Sequence, residues 1–309
     1  MQPFCMGRLR KSPLSLRKPR IRRLEQAGVN FRARVVWNFD PEATTWDGRS
    51  DHWWNDENTD PKIVSRMLSD SLQWLTEAKN DASAWEQLFR YRNRINGKGD
   101  RGYLAGERIA IKLNLNQIKD VGEESNASFT APQLVLALLA QLVEEAGVPA
   151  DRITFYDAVR TVPDVIYDQC ISAYPGVRFM DLSGEPGRIP STDDPDNPIH
   201  WSEPLTLLEV GGGGTAYLPA LLSECDYLIN LAGLKGHTLA GLTACGKNHF
   251  GSFLARSSTE GWSSSPKSAG VHPYTAVHEV AGGARAGGRW GMDGRPMGSY
   301  NVLVDLMGH

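Results

Sequence analysis

The sequence predicts an α/β fold: a mainly parallel sheet with flanking helices, Rossmann-like but without a dinucleotide fingerprint. Three observations carry this. Short apolar runs of strand length alternate with amphipathic helical segments at about 20–25-residue spacing, the pattern of parallel strands joined by crossover helices. Several of these runs end in polar or titratable residues, where α/β proteins place ligand sites. No G-x-G-x-x-G follows any strand candidate, so the dinucleotide signature is absent.

The elements follow in order. Residues 1–30 read as a disordered basic tail; residues 1–23 alone carry eight Arg/Lys and no acid, with Pro and Ser among them. Arg34–Phe39 is a first strand candidate, closed by Asp40 and Pro41. Residues 44–60, rich in Trp, Asp and Asn, read as a loop. Pro61 suits a first helical turn, and Ile63, Met67, Leu68, Leu72 and Leu75 recur at helical spacing. A second helix covers Ser83–Ile95 and ends in a turn at 96–100. Gly106–Asn116 is the clearest strand, with Ile109, Ile111, Leu113 and Leu115 on one face and Ala110, Lys112, Asn114 and Asn116 on the other. Thr130 can cap a helix over Ala131–Ala146, with Pro132 in its first turn and Gly147 past its end. Strand Arg152–Asp157, helix Val162–Ala173 and strand Val177–Asp181 continue the alternation. Residues 183–204 read as an irregular excursion rich in Pro, Asp and Ser. Leu205–Val210 is a strand candidate. The glycines at 211–214 lack a following Lys-Ser/Thr pair and read as a flexible turn, not a P-loop. A short helix, Leu218–Cys225, leads into strand Tyr227–Leu231. Residues 256–298 form a long Gly/Ser-rich loop without periodicity, in which His272 and His278 read as surface imidazoles. Tyr300–Leu306 reads as a strand with no helix after it. Residues 31–309 therefore read as a single α/β domain, incomplete at its C-terminus because a parallel strand needs cover on both faces.

The composition narrows the class. Hydrophobic content of 41% and charged content of 22% over 309 residues are ordinary for a globular protein with a sizeable core. The net charge is −3, so with eight positive charges in the tail the rest sums to −11. No nucleic acid is expected on the body of the chain, and a membrane surface only through the tail. The four cysteines, Cys5, Cys170, Cys225 and Cys245, form no C-x-x-C pair, so there is no iron–sulfur motif. Cytoplasmic placement is the default expectation, with export if a leader has been lost from the N-terminus.

Candidate site residues gather at strand ends. Lys112, Asn114 and Asn116 put one ammonium and two amides on one strand face, suited to hold and orient an anion. Asp157 ends its strand and can bind a ligand or cap the next turn. Asn230 ends another strand, and the loop beyond it is crowded with Lys235, His237, Thr243, Cys245, Lys247, Asn248 and His249. Lys235 and Lys247 with exposed backbone N–H groups make a positive concavity. His237 and His249 are the candidate catalytic groups, because imidazole titrates near neutral pH. His237, Cys245 and His249 are also the candidate ligands for a metal ion, although H-x7-C-x3-H matches no standard zinc spacing.

Four segments resemble the domain-of-unknown-function 362 family. Gly106–Asn116 looks like its G-x-x-V-x-I-K-x-N strand. Thr130–Gly147 with Ile153–Asp157 is similar to its helix and following strand. Asp226–Ser252 is similar to its I-N-L-x-x-L-K-x-H … G-x-T-x-x-x-K-N-x-x-G block, and Tyr300–His309 resembles a later strand. This chain departs from the pattern at Leu113, where many relatives have proline, and in lacking the cysteine module many carry. Relatives also continue past the position of His309. The resemblance implies the α/β fold and a site at the strand ends, and leaves the reaction open. The expectation is an enzyme or cofactor-handling protein acting on a small anionic molecule. The alternatives are a non-catalytic anion- or metal-binding protein, or an interaction module working through the basic tail.

Overall fold

The computed structural model describes residues 34–115, 126–202, 216–237, 241–255 and 302–308. The basic tail, Asn116, the strand candidate Leu205–Val210 and the loop 256–298 lie outside the described residues. Arg34–Phe39 joins no ladder among the described residues. Instead it lies along α1 (Pro61–Thr76), where the Asn38 amide donates to the Met67 carbonyl at 2.9 Å. The Asp60 carboxylate caps α1 by accepting from the N–H groups of Lys62 and Ile63. Helix α2 (Asp81–Ile95) is capped by Asn80 in the same way.

Strand β1 (Ile109–Lys112) leads through α3 (Pro132–Ala140) and a π-helical turn, Gln141–Glu145, to β2 (Ile153–Tyr156). Gly147, at φ +69°, closes that helix in a conformation open to glycine. Thr130 does not cap α3. Its hydroxyl accepts from the Asn114 N–H at 2.8 Å, so a tertiary contact at the end of β1 takes the group that local sequence assigns to the helix. Helix α4 (Asp164–Ala173) connects β2 to β3 (Arg178–Asp181), and β4 (Ile189–Pro190) adds a short parallel edge.

The segment 183–204 is thus less irregular than its composition reads. It also contains β5 (Asp193–Pro198), which pairs antiparallel with β6 (Ala216–Pro219) in a broken register. The predicted helix from Leu218 gives its first residues to β6, and α5 spans Ala220–Glu224. Strand β7 (Tyr227–Asn230) then returns to β1, giving a five-stranded, all-parallel sheet of order β4-β3-β2-β1-β7. A hairpin of β8 (Lys235–His237) and β9 (Gly241–Thr243) follows, then α6 (Cys245–Asn248), a 3-10 turn at His249–Gly251, and β10 (Leu254–Ala255) on β6.

Strand parity sorts the core. Ile109, Ile111, Leu113, Phe155 and Phe179 share one face with buried residues of α1–α4. Ala110, Tyr156 and Met180 share the other, under Leu221 and Leu222 of α5. Each large side chain so buried contributes about 1.5–3 kcal/mol. Leu113 also donates its N–H to the Tyr156 carbonyl at 3.0 Å, a bond that a proline at this position would not make.

The described part of the strand candidate Tyr300–Leu306 is helical: α7 spans Val302–Gly308. A strand would put Val302, Val304 and Leu306 on one face. Val302 and Leu306 are buried while Val304 is 71% exposed, which is one helical turn with Val304 on its outer side. The pair docks on Phe250 and Phe253. Val302–Leu306 is therefore not the uncovered strand that its sequence suggested.

Candidate functional site

The register aligns three strand ends. Lys112 pairs with Tyr156 on one side and Asn230 on the other, so all three side chains leave the same face at the carboxyl edge. The strand order also reverses here. β1 is followed outward by β2 and β3 in one direction and by β7 in the other. This is the topological switch point, outside which open α/β sheets bind ligands.

Lys112 is fully buried. Its Nζ lies 2.8 Å from Asp157 Oδ2 and donates to the Leu113 carbonyl at 2.5 Å. Asp157 Oδ1 accepts from the Val159 N–H at 3.0 Å, so the carboxylate also shapes the turn after β2. Burial pulls the Lys112 ammonium down and the Asp157 carboxyl up, and each resists the other's shift through their ion pair. Gly251 closes over them; a Cβ there would sit 2.7 Å from both Asp157 oxygens and from the Lys112 Nζ.

A chain of hydrogen bonds runs along the strand ends. The Lys235 ammonium donates to Asn114 Oδ1 at 2.5 Å and to the Ser128 carbonyl at 3.2 Å. Asn114 donates to Asn248 Oδ1, and Asn248 donates to Asn230 Oδ1 at 2.7 Å. The Asn230 amide nitrogen then gives its two N–H groups to the Cys245 carbonyl and to His249 Nε2, each at 2.9 Å. With Nε2 accepting, the His249 proton belongs on Nδ1, which faces Ser252 Oγ at 3.0 Å. Ser252 in turn meets the Tyr156 hydroxyl at 3.0 Å.

The field over this chain is positive. Burial, and then Arg160, Lys235 and Lys112, hold Lys247 down to about 7. Lys235 is lowered by burial and then by Lys112, with Asp157 opposing. Burial, and then Lys112, push His249 down to about 4. The Lys247 ammonium also lies 4.0 Å from the centre of the Phe250 ring.

The family described as "Domain of unknown function (DUF362)" matches residues 109–281, more than half of the chain, beginning at the first residue of β1. The chain belongs to the DUF362 family. No curated protein and no solved structure matched. The matched span contains the strand ends, the hairpin and α6, so the hydrogen-bonded chain lies within the DUF362 region.

Of the residues singled out from sequence in this DUF362 chain, Lys112, Asn114, Asp157, Asn230, Lys235, Asn248 and His249 are joined by direct contacts. Lys247 is linked to them through its field. Asn116 lies outside the described residues, as does the His237 side chain; the His237 backbone pairs with Gly241. Cys245 is exposed and joins through its backbone carbonyl. Among the described residues no three His, Cys, Asp or Glu side chains converge as metal ligands, and both His249 nitrogens are engaged by Asn230 and Ser252. Sequence reasoning passed over Tyr156 and Ser252 as site groups, and named Thr243 in the loop without giving it a role. Tyr156 shares strand parity with Lys112, and Ser252 stands three residues after His249 across a tight turn. Thr243 is buried, and its hydroxyl has no hydrogen-bond partner among the described residues.

Proposed function

We propose that this protein binds a small anionic molecule at the carboxyl ends of β1, β2 and β7, and acts on it as an enzyme or handles it as a cofactor. One observation carries the reading. Arg160, Lys235 and Lys112 all act on Lys247, and the carboxylate beside them, Asp157, is already paired with Lys112. Such a concentration of positive charge is unfavourable in the empty protein and favourable with an anion present. Asn114, Asn230 and Asn248 hold the framework and orient what is bound. If proton transfer occurs at neutral pH, Lys247 is the group matched to it, because His249 titrates near 4 with both ring nitrogens engaged. The engagement of His249 favours the second reading, an anion-binding protein without turnover.

A thermal-shift panel of phosphate, sulfate, acetate and chloride on the full chain tests this. A bound anion should stabilise the fold by about 2.7 kcal/mol at a hundredfold excess over its dissociation constant. Lys235→Met should abolish that shift with little loss of unliganded stability. Equal responses of mutant and parent to every anion would reject the site. A mutant that melts early without ligand would make Lys235 part of the scaffold.

A further inference from the structure

The β8–β9 hairpin carries a second polar group that the hydrogen-bonded chain does not use. Lys235 and Thr243 are directly opposed across its ladder. Opposed residues of an antiparallel pair project from the same face, with Cβ atoms about 4.5–5.5 Å apart. That face is turned to the strand ends, because Lys235 reaches Asn114 and Ser128 from it. Those two contacts engage two of the three ammonium donors, and the third has no partner among the described residues. Thr243 is 5% exposed, and its Oγ1 has no partner among the described residues. A buried hydroxyl without a partner is unfavourable, and a ligand oxygen would supply the missing bond.

We infer that Thr243 and Lys235 form the recognition pair for a tetrahedral dianion, a phosphoryl- or sulfate-type group, at the switch point of the sheet. The inference rests on the anion-site reading above and adds the class of anion. The charged groups acting on Lys235 are Lys112 and Asp157, which are paired with each other, so the Lys235 charge is left for a ligand. Every charged neighbour that shifts Lys247 is likewise a cation: Arg160, Lys235 and Lys112. Lys235, Arg160 and, when protonated, Lys247 add positive charge beyond an internally neutral pair, which suits two negative charges better than one. Several donors set apart in space suit an anion with acceptor oxygens on every side better than a flat carboxylate.

Isothermal titration of the full chain with inorganic phosphate, sulfate and acetate tests this, using the parent, Thr243→Val, Thr243→Ser and Lys235→Met. Phosphate and sulfate should bind the parent at least tenfold more tightly than acetate. Thr243→Val, close in shape but without the hydroxyl, should weaken phosphate at least tenfold while melting at or above the parent temperature. Thr243→Ser should restore most of the affinity. Parent-like phosphate binding by Thr243→Val, or acetate binding as tight as phosphate, would overturn the inference. So would early melting of Thr243→Val, since the hydroxyl would then serve the fold. If Lys235→Met loses phosphate while Thr243→Val keeps it, the anion site stands and the pair fails. If no variant and no parent binds any anion, the site reading fails and this inference with it.

Discussion

At the scale of single residues, the centre of the site is a buried ion pair, and its two halves are not separable. Removing one partner of such a pair leaves a stranded charge and costs about 3–5 kcal/mol. Lys112→Met should therefore lose stability of that order in a urea titration, and adding Asp157→Leu should recover part of it. A loss under 1 kcal/mol for Lys112→Met would mean that Asp157 is not held as drawn. Lys247 sets a pH dependence whose sign follows from its position near 7 in the folded chain. The unfolded chain titrates there near 10.4, so between the two values it holds more protons than the folded chain. Stability contributed by the neutral amine is complete above the unfolded value and is lost as pH falls through about 7. The parent should gain stability from pH 6 to 9 relative to Lys247→Met, and saturating sulfate should flatten that difference. Chemical denaturation at four pH values, with and without sulfate, measures both. Parallel pH profiles for parent and mutant would contradict the placement of Lys247 among cations.

At the scale of elements, the 3-10 turn at His249–Gly251 is pressed onto the sheet edge. Gly251 has no room for a Cβ against Asp157 and Lys112. Those neighbours are buried and paired, so they cannot swing aside. Gly251→Ala should cost about 1–3 kcal/mol by overpacking, read from its melting curve; a neutral outcome would place the turn farther from β1. The strand–helix alternation from β1 to β3 was legible because each segment carries its own period. The two faces of β1 could be read off the alternation of Ile109, Ile111 and Leu113 with Ala110 and Lys112. The small second sheet was not legible. Its β5 reads Asp193-Asp-Pro-Asp-Asn-Pro198, which opposes strand formation, and its pairing is with β6, distant in sequence. The helix at Val302–Gly308 was missed because a short, mostly apolar segment fits either period. Only its docking on Phe250 and Phe253 decides between them.

At the scale of the whole molecule, one sheet brings together residues spread from Lys112 to Ser252. Sequence position gave Lys112, Asn114, Asn230 and Lys235 as strand-end groups, since a polar residue closing an apolar run is a local pattern. Their hydrogen-bonded order was not legible, because it depends on strand order, and strand order is non-local. The same holds for Thr243, whose hydroxyl matters only once the hairpin folds back beside Asn114. No described helix is long and apolar enough to cross a membrane. The central claim is that the switch point between β1 and β7 is an anion site. A crystal structure of the full chain grown with selenate, a tetrahedral dianion that scatters anomalously, tests it most directly. The anomalous map should show selenium within hydrogen-bonding reach of Lys235 and Thr243, beside Asn114. Selenate elsewhere on the surface only, with these residues contacting no anion at saturating concentration, would contradict it.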